Sequence, residues 1–256
     1  VAAVIMFPTH RRIELEGVDN FRDLGGYRTH DGRTTRWRTV YRADGLHRLT
    51  PGDVDLLRPI GLRTVMDLRT EREIGEKGRF PFESHPVRFH HLSVIDRTWG
   101  EDQLPTSDTP AAEFLHTAYT SMLVAGGDRF AGALGVLAET DALPAVFHCA
   151  AGKDRTGLLA ALLLGAVGVP SETIIEDYAL TQDSMARQLQ RLRADPRTGP
   201  SIDSVPSAFF AAEPEAMRRV LDDIDEQHGS IGNYVRWLGV TNEVIGRLVG
   251  LLITDE

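Results

Sequence analysis

The sequence predicts an α/β domain: a central, mostly parallel sheet of about four strands flanked by helices, with a helical C-terminal third. Three observations carry this. Short strand-like runs alternate with longer runs of helical periodicity between residues 36 and 167. One of those runs, 145–149 (AVFHC), is short and apolar, as a strand buried on both faces must be. Beyond Pro170 only helical periodicity recurs.

The elements follow in chain order. Residues 17–27 (GVDNFRDLGGY) are polar and end in a glycine pair, which predicts a loop entering the domain. Residues 36–42 (RWRTVYR) alternate bulky and basic side chains and predict a short strand. Thr50 precedes Pro51, an N-cap followed by proline at the first helical position, so a short helix is expected over 52–58. Residues 62–68 (LRTVMDL) form the next strand candidate, with Arg69 and residues 71–73 beginning the following turn. Residues 87–95 (VRFHHLSVI) predict another strand, ending at Asp96. Residues 97–110 are rich in Thr, Asp, Gly and Pro and read as a long surface loop, a frequent carrier of function. Two helices are expected over 111–124 and 128–140, the first stopped by Gly126 and Gly127. A further helix over 156–167 stops at Gly168, and Pro170 and Ser171 open one that runs to about Arg193. Residues 195–214 hold four prolines with Phe209 and Phe210, and are either a lid or an ordinary connection. Three helices, over 214–228, 229–238 and 241–253, close the chain.

With 256 residues, 42% apolar and 25% charged, the chain fits one domain over 20–256 preceded by an extension over 1–19. Its 28 basic and 37 acidic residues leave a net charge of −9, which argues against bulk nucleic-acid binding. No run approaches the roughly 18 apolar residues of a membrane span. Residues 1–7 are apolar but lack a basic flank and a cleavage pattern. The expected location is therefore cytoplasmic, or secreted without a recognisable signal peptide. A single cysteine forbids an intramolecular disulfide, and the nine histidines lack ligand spacing, so neither a metal nor another cofactor is expected.

The chemistry concentrates in HCAAGKDRTG, residues 148–157, between the apolar strand and an apolar helix. A short loop entering a helix N-terminus aims successive N–H groups and the helix dipole at one point, which makes an anion site. The loop residues are Cys149, Ala150, Ala151, Gly152, Lys153, Asp154 and Arg155. Gly152 permits a backbone that a Cβ would obstruct, and Gly157 lets the helix approach the sheet. Cys149 stands at the strand end, facing the positive potential that favours a nucleophilic thiolate. The planar guanidinium of Arg155 can hold two phosphoryl oxygens at once, which lysine cannot. Thr156 is placed to donate its hydroxyl to the sulfur. Finding His148, Gly152, Arg155, Thr156 and Gly157 around one cysteine by chance is on the order of one in 10⁵.

This stretch resembles the HCxxGxxR[ST]G signature of the tyrosine and dual-specificity phosphatases. With Asn20–Gly26 (NFRDLGG), Asp67–Arg69 (DLR) and the helical tail it resembles one bacterial branch of them. The resemblance runs from about Asn20 to the C-terminus, although only the phosphate loop is specific. It implies metal-free, two-step hydrolysis of phosphate monoesters, with Cys149 as nucleophile and Arg155 as phosphate clamp. For the branch it implies action on phosphotyrosine, and sometimes on phosphoserine, phosphothreonine and phosphoinositides. A binding protein that keeps the anion nest without turnover, and a sulfurtransferase, are the alternatives.

A leaving oxygen needs a proton, and the family places its acid on the loop after a strand, which selects Asp96; Asp102 and Asp108 are weaker candidates. Asp67, in the apolar VMDL run, reads as a structural carboxylate tied to backbone or to Arg69. His148 reads as a buried orienting residue that hydrogen-bonds the loop. Lys153 is expected either to contact a second phosphate or to form a solvated pair with Asp154, which itself is a possible aid to proton transfer.

Overall fold

In the computed structural model, which describes residues 11–96, 105–106, 108–196 and 198–255, the apolar run becomes the centre of the sheet. Strand β6 (Ala145–His148) lies between β3 (Val40–Ala43) and β4 (Thr64–Asp67), parallel to both, with Val146 opposite Tyr41 on one side and Val65 on the other. Strand β5 (Arg88–His91) extends the parallel set beyond β4. Strand β1 (Arg22–Asp23) adds an antiparallel edge beside β3, giving the order β1-β3-β6-β4-β5. The sheet has five strands where about four are expected. The additional one is two charged residues long and falls inside the segment read as a loop. Two residues cannot display a period. A separate ribbon pairs β2 (Thr34–Thr35) with β7 (Ile253–Thr254) near the end of the chain.

Side chains of β6 alternate between two cores. Ala145 and Phe147 join a large cluster under the helices, and Val146 joins a smaller one with Phe21, Tyr41, Leu57, Val65 and Phe80. Burial on both faces is what makes the strand apolar throughout.

Helices α1 (Pro51–Leu57) and α2 (Glu71–Lys77) each begin with a complete capping box, Thr50 with Asp53 and Thr70 with Glu73. Such a cap stabilises a helix start by about 1 kcal/mol. Helix α3 (Ala111–Leu137) is continuous through Gly126 and Gly127, against the expectation of two helices. A Cβ on Gly126 would lie 2.5 Å from the Val94 carbonyl oxygen, and one on Gly127 would lie 2.8 Å from Leu238. The pair therefore serves close packing and does not end the helix.

Helix α4 (Asp154–Ala166) starts at the loop itself, two residues earlier than expected. The next helical stretch divides at Leu180 into α5 (Ser171–Ala179) and α6 (Thr181–Ala194). Two short helices follow, α7 (Gly199–Ile202) and α8 (Ser207–Phe210). Then come α9 (Pro214–His228), α10 (Ile231–Trp237) and α11 (Asn242–Leu252). Helix α9 packs on α3 and α5, and α10 on α4.

Residues 11–19, expected as part of an extension, dock on the sheet edge: Ile13 N–H donates to the Phe21 carbonyl and Arg12 bridges to Arg22. The expectation for residues 1–7 lies outside the described residues. Among the described residues no helix is long and apolar enough to cross a membrane.

Candidate active site

The loop from Cys149 to Arg155 is held from behind by its carbonyl groups. The Ala150 carbonyl accepts from Gly45 N–H at 3.0 Å, and that of Ala151 accepts from Gln188 Nε2 at 3.1 Å. The Gly152 carbonyl accepts from both Asn20 Nδ2 at 3.0 Å and Arg42 Nη2 at 2.8 Å. Turning carbonyls outward turns the intervening amides toward the loop centre, the arrangement that binds an anion. Gly152 is essential to it. Its φ is +68°, and a Cβ there would sit 2.6 Å from the Ala43 carbonyl oxygen.

The struts behind the loop are themselves tied into a buried ion cluster. Asp177 accepts from Arg22 Nε at 3.0 Å, Arg42 Nη1 at 2.6 Å and the Tyr27 hydroxyl at 2.7 Å. Burial works to raise the Asp177 carboxyl, but the two guanidinium groups outweigh it and hold the group far below the usual carboxylate value.

Cys149 is 1% exposed and follows the last residue of β6. Arg155 sits in the first turn of α4, and Glu73 grips it bidentately, with Nη1 donating to Oε2 at 2.7 Å and Nη2 to Oε1 at 2.9 Å. Burial raises the Glu73 carboxyl, and Arg155 more than reverses this. A guanidinium has five N–H donors, so two bonds to Glu73 leave donors for an oxyanion. Thr156 Oγ1 is buried and has no hydrogen-bond partner among the described residues, so the expected bond to the sulfur is not formed here. Gly157 makes room for Tyr178 of α5, 3.1 Å from where its Cβ would be, and for the Arg42 side chain of the sheet strand β3 at 3.6 Å.

His148 Nδ1 donates to the Cys149 carbonyl at 3.1 Å, and Nε2 lies 3.5 Å from Asp67. Burial pushes the imidazole down despite Asp67, and its bond to the Cys149 carbonyl orients the loop. Asp67 accepts from the backbone N–H of Arg69 at 3.0 Å and from its guanidinium at 2.6 Å. Burial raises this carboxyl, but His148 and Arg69 hold it below the usual range.

A cavity of about 310 Å³ opens onto the loop. Ala150, Ala151, Lys153, Asp154 and Arg155 contribute to its lining, as do Ile95, Met122, Phe209 and Phe210. Asp154 therefore shares the cavity with Arg155, whereas Asp96 does not line it. Asp96 is 85% exposed and accepts from Arg129 of α3 at 3.3 Å. Asp108 is exposed, and Asp102 lies outside the described residues.

Lys153 is 1% exposed, and its Nζ donates to the carbonyls of Phe209 at 2.6 Å and Ala211 at 2.9 Å. It caps the C-terminal carbonyls of α8 and is not part of a solvated pair, although Asp154 Oδ1 is 3.5 Å away.

Sequence reasoning missed Glu73, Arg42, Asp177, Gln188 and Tyr119, the last donating to Asp154 at 2.8 Å. Glu73 carried a signal, since Thr70-x-x-Glu73 reads as a capping box. The others are single charged, amide or aromatic residues whose partners are remote in sequence.

Comparison with known proteins adds independent findings. A model of the tyrosine phosphatase family matches residues 13–254. The chain is 27% identical to the triple specificity protein phosphatase PtpB of Mycobacterium tuberculosis, over 94% of this chain and 98% of that protein. It is 28% identical to a tyrosine-protein phosphatase of Nostoc commune, over 81% of this chain and 71% of that protein. Among solved structures, Pseudomonas aeruginosa TpbA is 17% identical over 73% of this chain and 88% of its own, with a TM-score of 0.30. On the family match across nearly its whole length, the chain belongs to the tyrosine phosphatase family and is a phosphatase.

Proposed function

We propose that the chain hydrolyses aryl phosphate monoesters, phosphotyrosine in proteins foremost, through a phosphocysteine on Cys149. The observation that carries this is the meeting of the amide nest, Arg155 and Asp154 in one cavity, whose other walls include Ile95, Met122, Met185, Leu192, Phe209 and Phe210. Apolar walls of that kind suit an aromatic ring leaving a charged group at the floor.

In the first step the Cys149 thiolate attacks phosphorus, an S–P bond forms and the bond to the leaving oxygen breaks. The nest and Arg155 hold the three equatorial oxygens, and Thr156 is the donor available to the sulfur. Asp154 passes its proton to the leaving oxygen. In the second step water attacks phosphorus and gives its proton to Asp154, while the S–P bond breaks to release phosphate and the thiolate. Asp154 takes the acid role in place of Asp96 because it shares the cavity with the clamp. Helix α8, fastened by Lys153, acts as a cover that yields to admit a protein chain.

Phosphoinositides are the second class. Arg48, Lys77 and Arg191 on the cavity lining favour a substrate with several phosphates.

The test compares wild type with Cys149→Ser, Asp154→Asn and Asp96→Asn on aryl phosphates of graded leaving-group acidity. Cys149→Ser should have no measurable turnover yet retain ester binding, since the nest persists. Asp154→Asn should lower kcat by about 10²–10⁴ on phosphotyrosine and much less on an acidic leaving group. If Asp96→Asn shows that dependence and Asp154→Asn does not, the acid assignment reverts to Asp96. Turnover by Cys149→Ser above a tenth of wild type would remove the phosphocysteine.

A further inference from the structure

Three helices converge on Asp154. It is the first residue of α4; Tyr119 comes from the N-terminal third of α3 and Tyr178 from the end of α5. The Tyr119 hydroxyl lies 2.8 Å from Asp154 Oδ1 and 2.6 Å from the Tyr178 hydroxyl. The two rings meet edge to face, 6.1 Å between centroids at 83°, and both are buried. Tyr178 is held in turn against Gly157, one turn along α4 from Asp154.

Proton counting fixes the direction of this chain. Burial, reinforced by the charge of Asp154, pushes both phenols above their ordinary value, so both keep their protons at working pH. An ionised carboxylate only accepts, so Tyr119 donates to Oδ1. The one proton of Tyr119 being spent there, the contact between the phenols is Tyr178 donating to Tyr119. Each bond polarises the next. Lys153 Nζ stands 3.5 Å from the same Oδ1. Oδ2 makes no hydrogen bond or ion pair with any described residue. A proton arriving on the carboxyl therefore settles on Oδ2, because Oδ1 is already engaged by a donor and faced by a cation.

We infer that the Tyr178–Tyr119 relay is a positioning device, which pins Oδ1 of Asp154 and so presents a proton on Oδ2 to the leaving oxygen. This rests on Asp154 as the acid. Neither tyrosine touches the reacting atoms. They act by restricting the carboxyl to one rotamer and one protonated oxygen, which shortens the search for a productive geometry at the moment the P–O bond breaks.

The experiment measures kcat for Tyr119→Phe, Tyr178→Phe, Asp154→Asn and the double variant Tyr119→Phe/Asp154→Asn. Substrates are a phosphotyrosine peptide and an aryl phosphate with a strongly acidic leaving group. Tyrosine to phenylalanine keeps the ring packing, and the acidic-leaving-group rate reports whether loop and clamp survive. Tyr119→Phe should slow phosphotyrosine by about tenfold, the equivalent of one hydrogen bond to a charged group, and leave the other substrate within about twofold. Tyr178→Phe should show the same pattern with a smaller loss. In the double variant Tyr119→Phe should add nothing to Asp154→Asn, because its target is gone. Equal losses on both substrates would make the tyrosines merely structural and overturn the inference. So would full additivity, or no loss. If Asp154→Asn shows the leaving-group dependence and Tyr119→Phe does not, the relay fails while the acid stands. If Asp154→Asn shows none, the acid assignment fails first and takes the relay with it.

Discussion

At the residue scale, Glu73 joins two tasks in one carboxylate. Its Oε2 accepts from the Thr70 backbone N–H at 2.8 Å, closing the cap of α2, and from Arg155 Nη1 at 2.7 Å. The clamp is thereby fixed to the start of a helix 82 residues away in sequence. Glu73→Gln keeps one acceptor oxygen for the cap but removes the charge and the second acceptor opposing Arg155. We expect kcat/KM to fall by about 10-fold, since a hydrogen bond to an ionised group is weakened, and the thermal midpoint to fall as well, since the buried guanidinium loses its counter-charge. Arg155→Lys should cost more, about 10²–10³, because a point charge cannot replace the fork over the oxyanion. A Glu73→Gln enzyme with wild-type kcat/KM would show that the nest orients Arg155 without it. The two residues differ in how far sequence reveals them. Arg155 lies in a contiguous signature whose spacing is set by one loop. Glu73 carries only the local signal of a helix cap, because what gives it a role is the meeting of two helix N-termini remote in sequence. Asp96 shows the converse: the sequence places it at the end of a strand, but β5 stops at His91 and the carboxylate turns outward toward Arg129.

At the element scale, glycine misleads where it serves packing. Gly126 and Gly127 carry the local signal of a helix stop, yet α3 runs through them because Val94 and Leu238 approach too closely for a Cβ. Local propensity costs roughly 1 kcal/mol per glycine, which the buried face of a helix this long overrides. Gly132, on the same helix, has nothing within 4 Å of its would-be Cβ. The pair makes a controlled comparison. Gly132→Ala should raise stability by about 0.5–1 kcal/mol through helix propensity alone. Gly126→Ala should lower it by about 1–3 kcal/mol, since backbone opposite a new methyl cannot rotate away. Urea titrations of both variants decide it, and a stabilising Gly126→Ala would mean that the Val94 segment gives way freely. The strands were legible for related reasons. A buried central strand such as β6 shows its burial in composition, whereas two-residue β1 shows only the polarity of its neighbours.

At the scale of the whole molecule, the parallel sheet was legible from the alternation of elements, but the ion cluster behind the loop was not. Arg22 and Arg42 come from two strands, Tyr27 from a loop and Asp177 from α5, and only the fold brings them together. The cluster makes a specific prediction about acid stability. The Asp177 carboxyl is held far below its unfolded value of about 3.9 by the two arginines. A depressed carboxyl contributes stability that is fully present above the unfolded value and is lost as pH falls through the folded one. Asp23 and Asp44 act in the opposite sense, since burial raises both and their protonation on acidification favours the fold. The net curve of the wild type mixes these signs, so the informative quantity is the difference between wild type and Asp177→Asn. At pH 7 that difference should be about 3–5 kcal/mol, as when one partner of a buried ion pair is removed and the arginines are left uncompensated. It should hold down to about pH 4 and shrink as the pH is lowered further, where the unfolded chain takes up a proton on Asp177 that the folded state still refuses. Urea unfolding of both proteins at pH 7, 5, 4 and 3 measures it. A difference that stays constant through pH 3 would mean that the arginines do not hold the carboxyl below its unfolded value, and one that vanishes by pH 5 would mean that another titrating group carries it. Because Arg42 also carries the Gly152 carbonyl, Asp177→Asn should lose phosphate-ester affinity at pH 7, joining the stability of the sheet edge to the shape of the anion nest.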